Sequence, residues 1–164
     1  MLKYQSYRRS LQQMQWLADF NQLPKRQQQW LMITGSLTAA LKQQCNQFSV
    51  QPIFEGWVTD NGDTEIQVHT QQYWLREVIL LGDQQPWIFA RTIIPIDTFN
   101  QYKQQIQQLG NQPIGEWLFQ QPIQRSKLMW GKTTTEFARR SVLTLSQHPF
   151  FISELFLEDF WLKA

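Results

Sequence analysis

Three charged residues stand on stretches whose composition otherwise describes apolar strand faces. Two of them, Arg76 and Arg91, belong to the run from Tyr73 to Pro95, YWLREVILLGDQQPWIFARTIIP, and the third, Glu154, belongs to FFISELFL. Arginine presents a planar fork of donors that matches a carboxylate, and a buried charge without a partner costs several kcal/mol, so charges in such places need explaining. The β-branched and aromatic segments Tyr73 to Leu81 and Pro86 to Ile94 flank Gly82-Asp83-Gln84-Gln85, which has the composition of a tight turn and predicts a hairpin. Symmetric closure of that turn sets Arg76 opposite Arg91, on one face with Trp74, Val78, Leu80, Trp87, Phe89 and Ile93. Like charges so opposed destabilise a sheet, and an anionic group is expected between or beside them. That group is either a protein carboxylate, with the alternative that one arginine snorkels to water, or the carboxylate of a ligand held in a pocket over the sheet. Alternation in FFISELFL places Glu154 with Ile152 and Phe156, where it either bridges to Arg139 or Arg140 or accepts a ligand's hydroxyl.

The remaining elements must carry these side chains. Leu11, Met14, Leu17 and Ala18 predict an amphipathic helix over residues 5–20, and a second helical stretch over 27–44 is interrupted at Gly35-Ser36, as at a kink or a helix-turn-helix. Phe48 to Thr59 reads as a strand at an edge or with a bulge, given Pro52 and Gly56, and Thr64 to Thr70 as a short strand. Thr98 to Leu109 reads as a helix stopped by Gly110, and Asn111 to Phe119 as a Pro-Ile-Gly turn into a short helix. Strands follow at about Ile123 to Gly131, Phe137 to Ser146 and Phe150 to Leu157, with Gln147-His148-Pro149 as the last turn. The expectation is an α+β domain spanning residues 1–164, built on an antiparallel sheet of five or six strands.

Composition narrows the chemistry. Eight Trp and eleven Phe among 164 residues, with 17% charged residues, predict an aromatic-rich core that needs no disulfide or metal. A net charge of +2 without a basic run argues against a nucleic-acid partner. The single cysteine, Cys45, excludes an internal disulfide and any multi-cysteine metal site, and His69 and His148 stand far apart, so no metal ligand set is expected. No stretch approaches the roughly 18 apolar residues of a membrane span, and charges interrupt the N-terminus before a signal-peptide core could form. A cytoplasmic protein without stable membrane insertion is expected.

Taken in order, several blocks make the chain resemble the chorismate pyruvate-lyase family: Tyr73-Trp74-Leu75-Arg76-Glu77, Pro86-Trp87, Arg91-Thr92 through Pro95, Leu109-Gly110, Pro113-Ile114-Gly115, Leu118-Phe119, Arg139-Arg140-Ser141 and Glu154-Leu155-Phe156-Leu157. The N-terminal third matches only loosely. The resemblance implies a single antiparallel sheet with helices on one side and two helical flaps over an internal pocket. It implies a cofactor-independent enzyme, expected as a monomer, that converts chorismate to 4-hydroxybenzoate and pyruvate at the entry to ubiquinone synthesis. By the same resemblance Arg76 holds the ring carboxylate, Glu154 meets the ring hydroxyl, Arg91 lies in the same cavity, and Leu37 and Ile114 are the flap positions; because chorismate carries two carboxylates, the enolpyruvyl side is then expected at Arg91. Ser36-Leu37-Thr38 departs from the pattern, in which a methionine is expected between serine and threonine. The competing reading is a non-catalytic carboxylate-binding domain of the same fold, as in effector domains of bacterial transcription regulators. Such domains follow a DNA-binding winged helix, whereas only about 47 residues precede the first predicted strand here, without a basic recognition helix.

Overall fold

A computed structural model describes residues 2–59 and 72–163. The predicted strand Thr64 to Thr70, with His69, lies outside the described residues. The remaining strands form one antiparallel sheet: β1 (Gln15–Leu17), β2 (Phe48–Val58), β3 (Tyr73–Gly82), β4 (Gln85–Pro95), β5 (Gln124–Lys132), β6 (Phe137–Leu145) and β7 (His148–Phe156), in the spatial order β1-β5-β6-β7-β4-β3-β2. The helices are α1 (Leu2–Gln13), α2 (Lys25–Leu31), α3 (Leu37–Lys42), α4 (Ile96–Gln101), α5 (Lys103–Gln107), α6 (Ile114–Leu118) and α7 (Glu158–Lys163). None of them is long and apolar enough to cross a membrane. The α+β class is as expected. The sheet has one strand more than expected because the helix predicted to reach residue 20 stops at Gln13, and Gln15 to Leu17 pair instead with the edge of β5.

The β3–β4 hairpin closes more tightly than its composition suggests. Gly82 pairs with Gln85, and Asp83 and Gln84 both take positive φ, 48° and 69°, as a two-residue type I′ turn requires. Asp83 Oδ1 accepts from the backbone amides of Asn46 and Gln47 at 3.0 and 2.9 Å, which fixes the turn against the start of β2. The β6–β7 hairpin repeats the arrangement, with Ser146 and Gln147 at 48° and 69°.

A bulge then corrects the expected pairing of the two arginines. Leu81 faces Pro86 but Leu80 faces Ile88, so Trp87 is an extra residue and every later pair shifts by one. Arg76 therefore faces Thr92, and Arg91 faces Glu77 on the opposite side of the sheet together with Phe89. The face shared by Arg76 is completed by Val78, Leu80, Ile88, Ala90 and Ile94, while Phe89 and Ile93 point away from it. Gly82 makes the bulge possible, because a Cβ there would collide with the Trp87 ring.

Both sides of the sheet are apolar, and helices cover both. Leu31, Leu37, Leu41 and Phe160, from α2, α3 and α7, pack with Val78, Leu80, Trp87 and Ile88 on the Arg76 face. Phe99, Ile106 and Leu118, from α4, α5 and α6, pack with Ile94, Leu143 and Ile152 farther along it. Helix α1 lies on the other face, where Leu11 and Met14 meet Ile79, Phe89 and Leu155. Its Arg8 donates to the buried Glu77 carboxylate through Nε and Nη2 at 3.0 and 2.7 Å, and Arg91 Nε stands 3.4 Å from the same group. The expectation of helices on one side is thus corrected for α1.

Candidate active site

A cavity lies between the Arg76 face of the sheet and the two short helices α3 and α6. Its floor is Arg76, Val78 and Leu80 of β3, Ala90 and Thr92 of β4, Ile152 and Glu154 of β7, Arg139, Ser141 and Leu143 of β6, and Arg125 of β5. Its cover is Ser36-Leu37-Thr38 and Pro113-Ile114-Gly115, with Phe119 at one side. The residues of the cover follow from local chemistry. Ser36 adopts extended φ and ψ of −73° and 114° and its hydroxyl accepts from the Ala39 amide at 3.1 Å, so the helical stretch over 27–44 must break and restart there. Pro113, at φ −64° and ψ 136°, is the extended residue from which α6 starts, without a side-chain cap. Lys42 of α3 and Glu116 of α6 meet at 2.7 Å on the outer surface.

Of the residues singled out from sequence, Arg76, Glu154, Leu37 and Ile114 come together at this cavity. Arg91 does not line it, since it pairs with Glu77 on the other side of the sheet; its expected position opposite Arg76 is corrected by the Trp87 bulge. Arg125 and Arg139 stand in the cavity instead. In the sequence Arg139 stands out as a partner for Glu154 and within the block Arg139-Arg140-Ser141, whereas Arg125 carries no signal. Backward alternation from the buried Trp130 puts Arg125 on the far side. Lys127, at φ 54°, lies in a second bulge between Ser126 and Met129 that turns Arg125 inward, opposite Leu143.

Arg76 is almost wholly buried, at 1% exposure. Its Nη1 donates to Glu55 Oε1 at 2.6 Å and its Nη2 to the carbonyls of Gly110 and Gln112 at 3.0 and 2.8 Å, so a protein carboxylate does pair with it. The two carbonyls belong to the loop that leads into α6. Arg76 Nε is buried without a hydrogen-bond partner, a state that costs about 1–3 kcal/mol unless an acceptor arrives. Burial pulls the Arg76 guanidinium below its usual pKa, and Glu55 partly offsets this.

The other end of the cavity is held by a shared acceptor. Arg139 donates through Nε to Glu154 Oε1 and through Nη1 to the Ile33 carbonyl, both at 2.7 Å, and Arg125 Nη1 donates to the same carbonyl at 2.9 Å. Ile33 lies in the link between α2 and α3. Each half of the cover is therefore fastened by cavity arginines through backbone oxygens. Burial, then the neighbouring Arg139 charge, lowers the Arg125 pKa to about 10, with Glu154 acting in the opposite sense. Three arginines against one carboxylate in the lining, or two counting Glu55 behind Arg76, leave the cavity positive and suited to anions. Among the described residues no cluster of His, Cys, Asp and Glu is placed to hold a metal ion. Cys45 donates to the Leu41 carbonyl at 3.6 Å and burial pushes its thiol pKa up, so it is no activated nucleophile.

A family model described as chorismate lyase matches residues 10–164. The chain belongs to the chorismate lyase family. A chorismate pyruvate-lyase of Pectobacterium atrosepticum is 40% identical over 141 residues, covering 84% of this chain and 80% of its own. A probable chorismate pyruvate-lyase of Bartonella bacilliformis is 37% identical over 151 residues, covering 89% and 88%. Among solved structures, the C-terminal domain of a histidine utilization repressor from Pseudomonas syringae pv. tomato aligns over 69% of this chain and 93% of its own with a TM-score of 0.51. At 4% identity that likeness concerns the fold alone. The chain thus shares a fold with a regulator domain that has little sequence in common with it.

Proposed function

We propose that this protein is a chorismate pyruvate-lyase, eliminating pyruvate from chorismate to leave 4-hydroxybenzoate for ubiquinone synthesis, and that it acts as a monomeric single domain in the cytoplasm. The observation that carries the reading is the pairing, in one covered cavity, of Arg76 on β3 with Glu154 on β7, two strands away in the sheet order. Two strand spacings are roughly 10 Å, and side chains leaning inward from that separation can grip the two ends of a para-substituted six-membered ring. Arg76 Nε, which otherwise lacks an acceptor, receives the ring carboxylate. Glu154, with Oε1 engaged by Arg139, accepts the ring hydroxyl on Oε2. Val78, Leu80, Ala90 and Ile152 supply the apolar floor, and Leu37 and Ile114 close over the ring.

The chemistry demands little beyond this. The bond from ring carbon to ether oxygen breaks, the neighbouring ring carbon that bears the hydroxyl loses its hydrogen, and the ring becomes aromatic. The electrons of the broken bond leave with the enolpyruvyl oxygen, and the departing three-carbon unit gains one hydrogen to become pyruvate. Aromatisation drives the step, so the protein has only to hold the side chain in its eliminating geometry and to stabilise charge developing on the ether oxygen. The arginines on β5 and β6 put a positive field on that side of the cavity.

The competing reading, a domain that binds a carboxylate without turnover, has the fold likeness to the regulator domain on its side and nothing in the relatives' names. Incubating the protein with chorismate and following 4-hydroxybenzoate absorbance separates the two. Product appearing in proportion to protein, unaffected by EDTA, is the expected result. Stoichiometric binding without product would overturn the lyase reading.

A further inference from the structure

We propose that Arg125 binds the second carboxylate of the substrate, that of the enolpyruvyl side chain, so that the cavity recognises a dianion by a guanidinium on each side of Glu154. This assignment rests on the lyase reading and supplies a specificity residue that the reading lacks.

The sheet order gives the geometry. In the run β3-β4-β7-β6-β5, Glu154 occupies the middle strand, with Arg76 two strands to one side and Arg125 two strands to the other. Chorismate has the matching order of groups: a carboxylate at one end of the ring, the hydroxyl at the opposite end, and the enolpyruvyl ether on the carbon beside the hydroxyl. With the ring carboxylate on Arg76 and the hydroxyl on Glu154, the side chain extends past Glu154 toward β6 and β5. The two arginines there are not equivalent. Arg139 has its Nε on Glu154 and an Nη1 hydrogen on the Ile33 carbonyl. Arg125 pairs with no carboxylate among the described residues, and its Nε is buried without an acceptor.

Arg125 is nevertheless held in place. Its Nη1 is anchored on the Ile33 carbonyl, and its guanidinium lies over the Phe119 ring with 5.5 Å from Cζ to the ring centroid. A guanidinium sheltered on one face by an aromatic ring, with a free Nε edge, is preorganised for a carboxylate. Burial first, and then the neighbouring Arg139 charge, lowers its pKa, while the nearby Glu154 is engaged by Arg139. A second anion in the cavity relieves the repulsion between the two arginines.

The test exploits the product, which keeps the ring carboxylate and the hydroxyl but has lost the second carboxylate. In Arg125→Gln, kcat/KM for chorismate is expected to fall at least about thirty-fold, with most of the loss in KM, while the dissociation constant for 4-hydroxybenzoate stays within about threefold of wild type. Arg125→Lys, which restores charge without the fork, is expected to recover part of the loss. Equal weakening of chorismate and 4-hydroxybenzoate would make Arg125 only an anchor for the α2–α3 link and overturn the proposal, as would chorismate kinetics unchanged within a factor of about three. Unaltered 4-hydroxybenzoate binding also certifies that the variant is folded. Absence of turnover in the wild type would refute the lyase reading instead, and the ratio of the two ligands' dissociation constants would still decide: a ratio that Arg125→Gln leaves unchanged, or no binding of chorismate at all, overturns the assignment.

Discussion

Arg139 and Glu154 face each other across β6 and β7, and the guanidinium fixes one carboxylate oxygen at 2.7 Å while the same arginine grips the Ile33 carbonyl. The carboxylate is thereby aimed into the cavity by a residue that also fastens the link into α3. For Glu154→Gln we expect retained folding, because the amide oxygen can still accept from Arg139, and weaker 4-hydroxybenzoate binding, because an ionised acceptor is replaced by a neutral one. Hydrogen bonds to charged groups contribute about 1.5–3 kcal/mol, which corresponds to roughly ten-fold or more in the dissociation constant by fluorescence titration. Affinity and turnover both within a factor of about two of wild type would remove Glu154 from the site.

Arg76→Ala is expected to weaken 4-hydroxybenzoate by about thirty-fold or more and to abolish useful turnover. It should also lower the melting temperature, because Arg76 ties Glu55 and the carbonyls of Gly110 and Gln112 together in the interior. Arg76→Lys keeps a charge near Glu55 but cannot reproduce the fork, and should recover stability more than affinity. Near wild-type product affinity in either folded variant would sink the assignment.

Much of this arrangement is legible in the chain. Lone charges on apolar alternation pick out Arg76 and Glu154, and Gly35-Ser36 and Pro113 mark where the cover breaks into short helices. The misplacement of Arg91 and the missed Arg125 share one physical cause. Strand alternation transmits facing only while the ladder is regular, and one extra residue reverses every side chain beyond it. Trp87 does this in β4 and sends Arg91 to the far face; the irregularity at Lys127 does it in β5 and brings Arg125 in. Neither bulge has a glycine or proline at the extra residue to announce it. The short strand β1 was hidden for a different reason, since Gln15 to Leu17 form a strand only because the edge of β5 offers them a ladder.

The first of these bulges can be probed at Gly82, whose Cβ position is filled by the Trp87 ring. Gly82→Ala is expected to destabilise the fold by about 1–3 kcal/mol, as overpacking of an interior does, measured as a lower denaturant midpoint. An unchanged midpoint would mean that Trp87 can leave its place without cost, and the register would not depend on that close approach.

The pKa of Arg125, lowered to about 10, predicts a pH dependence with a definite sign. Below that value the guanidinium is charged and able to bind an anion; above it the charge is lost. The chorismate KM should therefore show no contribution from Arg125 between roughly pH 7 and 9 and should rise as pH approaches 10 and beyond. For stability the sign is opposite. The folded state gives up the proton at lower pH than the unfolded chain does, so the cost of burying this charge is present below about 10 and relieved above it. A chorismate KM that rises already near neutrality in wild type, and not in Arg125→Gln, would contradict this.

Release of product is the step that the cover should control. 4-Hydroxybenzoate retains the ring carboxylate and hydroxyl, so the contacts proposed for Arg76, Glu154 and the apolar floor would survive the reaction, and binding that does not distinguish substrate from product slows departure. Leu37 begins α3 and Ile114 begins α6, and both line the cavity, so under the proposed lyase reading release of the ring requires one of these helices to move. On the outside the helices are joined by the Lys42–Glu116 pair, which is exposed and therefore contributes little, about 0.2–1 kcal/mol. Loosening it should still show in a rate limited by opening. Wild type is expected to give a burst of one product per active site before a slower steady state. Lys42→Ala is expected to raise the steady-state rate by a factor of about 1.5–5, with the burst amplitude unchanged, and Ile114→Ala to raise it further. Stopped-flow absorbance measures all three. A linear time course in wild type, with inhibition by 4-hydroxybenzoate only at millimolar concentration, would place the slow step in the elimination itself and leave the α3–α6 cover without a kinetic role.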